Sequence, residues 1–93
     1  MKKILNIGFV GLTHLGLNYL AASSEKGFKV VGVDLDENKV DKLKKFDIDY
    51  KEPNLKKTIL KNKKKIIFSS NLNFLKSCNI VFISQDVFTN SLN

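Results

Sequence analysis

The chain has 93 residues, 43% of them hydrophobic, and a formal net charge of +7. This length bounds it to one domain with a modest core, and its longest apolar run is far too short to cross a bilayer. Its single cysteine, Cys78, excludes an internal disulfide and fits a reducing cytoplasm, where the protein is expected.

Met1-Lys2-Lys3 leads straight into Ile4 to Val10, an apolar run interrupted only by Asn6 and Gly8. This reads as a first buried strand and not as a signal peptide. Residues 14–26 read as a helix. Leu15, Tyr19 and Ala22 form one apolar stripe, widened by Leu17, Leu20 and Ala21. Lys26-Gly27 closes it, a cation in the last turn with glycine just beyond. Lys29-Val30-Val31-Gly32-Val33 is a second strand and runs into Asp34.

Asp36 is the expected N-cap of a short helix that carries Val40, Leu43 and Phe46 inward. A polar connection over 47–53 ends at Pro53, placed in the first turn of a helix with Leu55 and Ile59. Ile66-Ile67-Phe68 is a third strand. Asn71 caps a short helix with Leu72 and Leu75, and Ile80-Val81-Phe82-Ile83 is a fourth strand. Alternating strands and helices imply a parallel sheet with right-handed crossovers. The expected class is α/β: a Rossmann-like, doubly wound sheet of about four strands in the order 3-2-1-4. A complete domain of this kind takes about 150 residues, so residues 1–93 are read as the N-terminal part of one.

Gly11-Leu12-Thr13-His14-Leu15-Gly16 falls between the first strand and the first helix, and Asp34 ends the second strand. Together these form the phosphate-and-ribose half of a dinucleotide site. Glycines at 11 and 16 permit a tight turn and a close approach of helix to strand. The first helical turn then offers N–H groups to a pyrophosphate. Gly11, Thr13, His14, Leu15 and Gly16 are therefore the expected cofactor-lining residues. Thr13 stands where the motif has its middle glycine. Its hydroxyl either caps the helix or meets a phosphate oxygen. His14 is read as a surface or packing residue beside the phosphates, not a catalytic one. A carboxylate at Asp34 accepts from the ribose hydroxyls and repels a 2′-phosphate, which favours NAD over NADP. Cys78 reads as a packed thiol.

Residues 39–65 hold eleven lysines and four acids; the rest of the chain holds five of each, and there is no arginine. This reads as a solvated basic face. A lysine-rich module for nucleic acid or an anionic surface is the rival reading. The lack of arginine for bidentate contact to guanine argues against nucleic acid as a partner.

Four pieces resemble the UDP-glucose/GDP-mannose dehydrogenase family. The turn Gly11 to Leu17 is similar to its Gly-x-Gly-Tyr/His-Val-Gly-Leu. The run from Glu25 to Asp36 matches almost residue by residue. Tyr50 with Glu52-Pro53-Asn54-Leu55 resembles its Tyr-Glu-Pro-Gly-Leu, with Lys51 extra. Phe68 to Leu72 and Asn79 to Ile83 match the strand, cap and strand that follow. The third piece argues against other dehydrogenases on the same scaffold, such as those for hydroxyacids or glycerol phosphate.

The resemblance implies an NAD-binding portion of an enzyme that oxidises the C6 alcohol of a UDP- or GDP-sugar to a carboxylate. It implies that Asp34 binds the adenosine ribose and that Lys39 lies beside the adenosine half of NAD. Thr89 takes the place of a threonine that approaches the cofactor after strand 4, although Ser84 to Thr89 departs from the usual small residue-Thr-Pro. The family's catalytic cysteine and lysine lie far beyond residue 93, so this chain alone is expected to be inactive. The partner implied for the intact enzyme is a nucleotide sugar. No membrane is expected, and a homo-oligomer is possible.

Overall fold

The computed structural model describes residues 5–48 and 53–84, without the side chain of Pro53. Four strands, β1 (Asn6–Val10), β2 (Lys29–Val33), β3 (Ile66–Ser69) and β4 (Ile80–Ile83), alternate with helices. These are α1 (His14–Glu25), α2 (Glu37–Lys44) and α3 (Pro53–Lys61), with 3₁₀ turns at Lys63–Lys65 and Leu72–Ser77. All pairings are parallel and the sheet order is β3-β2-β1-β4. The expected fold is the observed one.

One rung of the register explains where the core sits. Phe68, Gly32, Phe9 and Phe82 lie side by side across all four strands. Phe9 and Phe82 stack, their ring centroids 5.6 Å apart. Gly32 leaves a hollow between Phe68 and Phe9, and α1 fills it. A Cβ built on Gly32 would lie 2.7 Å from Leu20 Cδ1 and 3.0 Å from Leu12 Cδ2. Val40 and Leu43 of α2 and Leu55 and Ile59 of α3 close over the same core. The opposite face carries the Leu72–Ser77 turn. There a Cβ on Gly8 would meet Leu75 and Cys78, so the thiol packs, half-buried, on the sheet. Burial pushes the Cys78 thiol up, away from the reactive thiolate.

The stripe expected to pack α1 is displaced. Leu17, Leu20, Ala21 and Ser24 are buried, whereas Ala22 is exposed and Leu15 and Tyr19 are 53% and 55% exposed. The helix is apolar on two sides, and Gly16 decides which side meets the sheet. A Cβ on Gly16 would lie 2.3 Å from the Gly11 carbonyl oxygen. Only a residue without a side chain fits, and this sets the rotation of the helix. Leu15, Tyr19 and Ala22 then line an apolar cleft with Phe9, Phe82 and Ile83.

Helices α1 and α2 end in the same hydrogen-bond pattern. After α1, Gly27 N–H donates to Ser24 O and Phe28 N–H to Ser23 O; after α2, Phe46 N–H donates to Leu43 O and Asp47 N–H to Lys42 O. This pattern requires a left-handed residue just past the helix. Gly27 takes it at φ 103°, and Phe46 takes it at φ 58°. Phe46, expected as an inward residue of α2, instead lies past its end at Lys44, in a conformation that disfavours a side chain. Its ring still packs against the core, which offsets that penalty. Asn62, buried at the end of α3, donates to Glu25 Oε1 at 2.9 Å and to Thr58 O, tying α3 to α1. The Asn62 bond, the Lys61 ammonium and its charge lower the pKa of the Glu25 carboxyl.

Candidate dinucleotide site

The glycine turn is fixed from two sides. Gly11, at φ 94°, donates its N–H to Val33 O at 2.9 Å, which binds the end of β1 to the end of β2. Leu12 is fully buried, and its N–H donates to Asp34 Oδ2 at 2.8 Å. Thr13 is the N-cap of α1: its Oγ1 accepts from Gly16 N–H at 3.1 Å. Its capping role is thereby observed. The same oxygen lies 3.1 Å from the Ser84 hydroxyl. His14 and Leu15 follow in the first helical turn, both exposed.

Asp34 is held as firmly. Its own N–H donates to Ser69 O at the end of β3. Oδ1 accepts from Asp36 N–H at 2.9 Å, and Oδ2 accepts from Leu12 N–H and, at 3.4 Å, from the Lys39 ammonium. The carboxylate side chain is 15% exposed. Burial acts to raise its pKa, but the two backbone N–H bonds and the Lys39 charge outweigh this and hold it below the ordinary range. The result is an ionised acid at the C-terminal end of β2, with acceptor capacity left on Oδ1. Lys39 is brought there by α2, whose N-cap Asp36 accepts from Lys39 N–H at 3.1 Å.

The structure therefore gathers Gly11, Thr13, Gly16, Asp34 and Lys39 at one end of the sheet. His14 and Leu15 stand at the exposed start of α1, and Thr89 lies outside the described residues. Ser84 is an addition to the expected set. Its N–H donates to Val10 O at 2.7 Å, so it follows β4 as Gly11 follows β1. In a sheet of order 3-2-1-4, the residues after strands 1 and 4 flank the crevice where the winding reverses. The strand order alone was the signal for it. Among the described residues, no group of three or more His, Cys, Asp or Glu could hold a metal, and no helix is long and apolar enough to cross a membrane.

Fold and turn together define a dinucleotide-binding α/β domain. The sequence matches the NAD binding domain of the UDP-glucose/GDP-mannose dehydrogenase family over residues 5–90, and the chain belongs to that family. Its cofactor is NAD. It is 38% identical over 72 residues to the UDP-N-acetyl-D-mannosamine dehydrogenase of Methanococcus vannielii, covering 77% of this chain and 16% of that protein. The fold is that of the UDP-glucose dehydrogenase of Pyrobaculum islandicum, with a TM-score of 0.81 and 19% identity over 89% of this chain and 20% of the other. The UDP-D-ManNAc dehydrogenase of Pyrococcus horikoshii gives 0.82 and 22% identity, covering 87% and 20%. The chain thus spans about a sixth of the curated Methanococcus relative. Membership of this family favours the NAD-binding reading over the lysine-rich module and the other dehydrogenase classes.

Proposed function

We propose that residues 1–93 supply the NAD-holding geometry for oxidation of a nucleotide sugar, in the synthesis of polysaccharide precursors in the cytoplasm. Asp34 takes the adenosine ribose hydroxyls, Lys39 flanks the adenosine half, and the turn from Gly11 to Gly16, with His14 and Leu15, borders the pyrophosphate. Thr89 approaches the cofactor from beyond β4. When bound, NAD supplies the hydride acceptor, and no side chain of this chain reacts. The observation that carries the reading is the Leu12 N–H bond to Asp34, which joins the ribose acid and the glycine turn into one unit. The names of the relatives support a nucleotide sugar as the substrate of the intact enzyme. Cys78 is not a candidate nucleophile, because it packs against Gly8 on the sheet face away from α1.

Titration calorimetry with NAD and NADP tests this reading. NAD should bind the more tightly, because a 2′-phosphate would meet the ionised Asp34. Equal or tighter NADP binding overturns the assignment of Asp34. Production of NADH from a nucleotide sugar by this chain alone overturns the assignment of catalysis elsewhere.

A further inference from the structure

The Thr13 and Ser84 hydroxyls lie 3.1 Å apart, across the point where the sheet reverses its winding. Backbone bonds position both. Thr13 is the N-cap of α1 and Ser84 hangs from Val10 O. Two hydroxyls carry two protons, and their mutual hydrogen bond uses one. If Thr13 donates to Ser84, the Ser84 proton is left over. If Ser84 donates, Thr13 Oγ1 accepts from both Ser84 and Gly16 N–H, and the Thr13 proton is left over. In either arrangement the pair has one O–H to give. Neither hydroxyl has another hydrogen-bond partner among the described residues.

This matters because position 13 lacks the glycine that would let the main chain touch a pyrophosphate. A threonine Cβ takes up that room and holds the anion further from the backbone. We propose that Thr13 donates its O–H to Ser84 and that Ser84, oriented by this bond, donates its own O–H to a pyrophosphate oxygen of the dinucleotide, in place of the close backbone approach that a middle glycine allows. The proposal rests on the NAD-holding reading and adds Ser84 to it. The ligand chemistry is a diphosphate ester. An adenosine without phosphates does not reach the pair.

Ser84→Ala is the informative variant, because it leaves the Thr13 cap of α1 in place. Calorimetry with NAD, ADP and adenosine, with melting temperature followed in parallel, gives the readout. Ser84→Ala should weaken NAD and ADP by about tenfold, the usual effect of losing a hydrogen bond to a charged group, and leave adenosine unchanged. Thr13→Ser should bind like the parent. Thr13→Gly should weaken NAD, where simple crowding by the side chain would make it bind more tightly. Unchanged NAD and ADP affinity in Ser84→Ala overturns the pair while leaving the site reading intact. So does tighter NAD binding in Thr13→Gly, or an equal loss for adenosine. A parent chain that binds none of the three overturns the site reading and the pair with it.

Discussion

The Asp34 carboxylate accepts the backbone N–H of Leu12 at 2.8 Å, across 22 residues of sequence. A single side chain therefore fixes the main chain of the glycine turn and stands where the second strand presents its acid. Position 34 must serve the fold as well as the ligand.

The first prediction follows from that charge. The fold lowers the pKa of Asp34, so it stabilises the ionised form. This contribution is fully present above the ordinary aspartate value near 3.8. It is lost as the pH falls through the lower folded value. Asp34→Asn should lose about 1–2 kcal/mol at neutral pH, since an amide keeps one acceptor but loses the charge and a competent second oxygen. The gap to the parent should narrow in acid. Urea unfolding at pH 7 and pH 3 measures it. An equal gap at both values would show that the charge plays no part.

Two glycine variants separate crowding from backbone conformation. Gly16→Ala puts a Cβ against the Gly11 carbonyl oxygen, a main-chain atom that cannot move aside. The expected loss is about 3 kcal/mol or more. Gly27→Ala meets nothing within 4 Å but must keep φ at 103°, at a cost of about 1 kcal/mol. Thermal melts of both proteins give the order, and a milder effect at 16 than at 27 contradicts the close-approach argument.

A third prediction concerns association. β4 is an edge of the described sheet with no charge among its four residues, and Ile83 is 71% exposed. The other edge, β3, follows directly on Lys63–Lys65. Uncharged edges invite pairing with another chain, and lysine discourages it. The chain should self-associate in sedimentation velocity as concentration rises, and Phe82→Lys should shift it toward monomer. A parent that stays monomeric at high concentration refutes the open-edge argument.

Much of this was legible before any coordinates. Apolar runs of strand length, the Asp36 and Asn71 caps, and the Val40/Leu43 and Leu55/Ile59 pairs each follow from local periodicity, and all appear where expected. The rotation of α1 was not legible. Leu15, Tyr19 and Ala22 are as apolar as Leu17, Leu20 and Ala21, so helical period alone cannot choose between them. The choice comes from a contact between Gly16 and Gly11 in three dimensions. Phe46 escaped for a related reason: nothing in its side chain announces a left-handed backbone, which the helix-end hydrogen bonds impose. At the site, Asp34 and the outer glycines were visible as a spaced motif. Ser84 belongs to no motif and gains its place only when β4 lies beside β1.

The phenylalanine rung also bears on motion. β4 joins the sheet through β1 alone, and none of its residues is buried, whereas β1, β2 and the three helices hold nearly the whole core. Segments with few buried contacts open at a fraction of the global unfolding free energy. Amide hydrogens bonded between β4 and β1 should therefore exchange with deuterium by detachment of β4, long before those between β1 and β2. Ser84 travels with β4, so a dinucleotide that engages its hydroxyl would slow this local exchange while leaving the central strands at their own rate. Occupancy of the crevice would then be recorded in the lifetime of one peripheral strand.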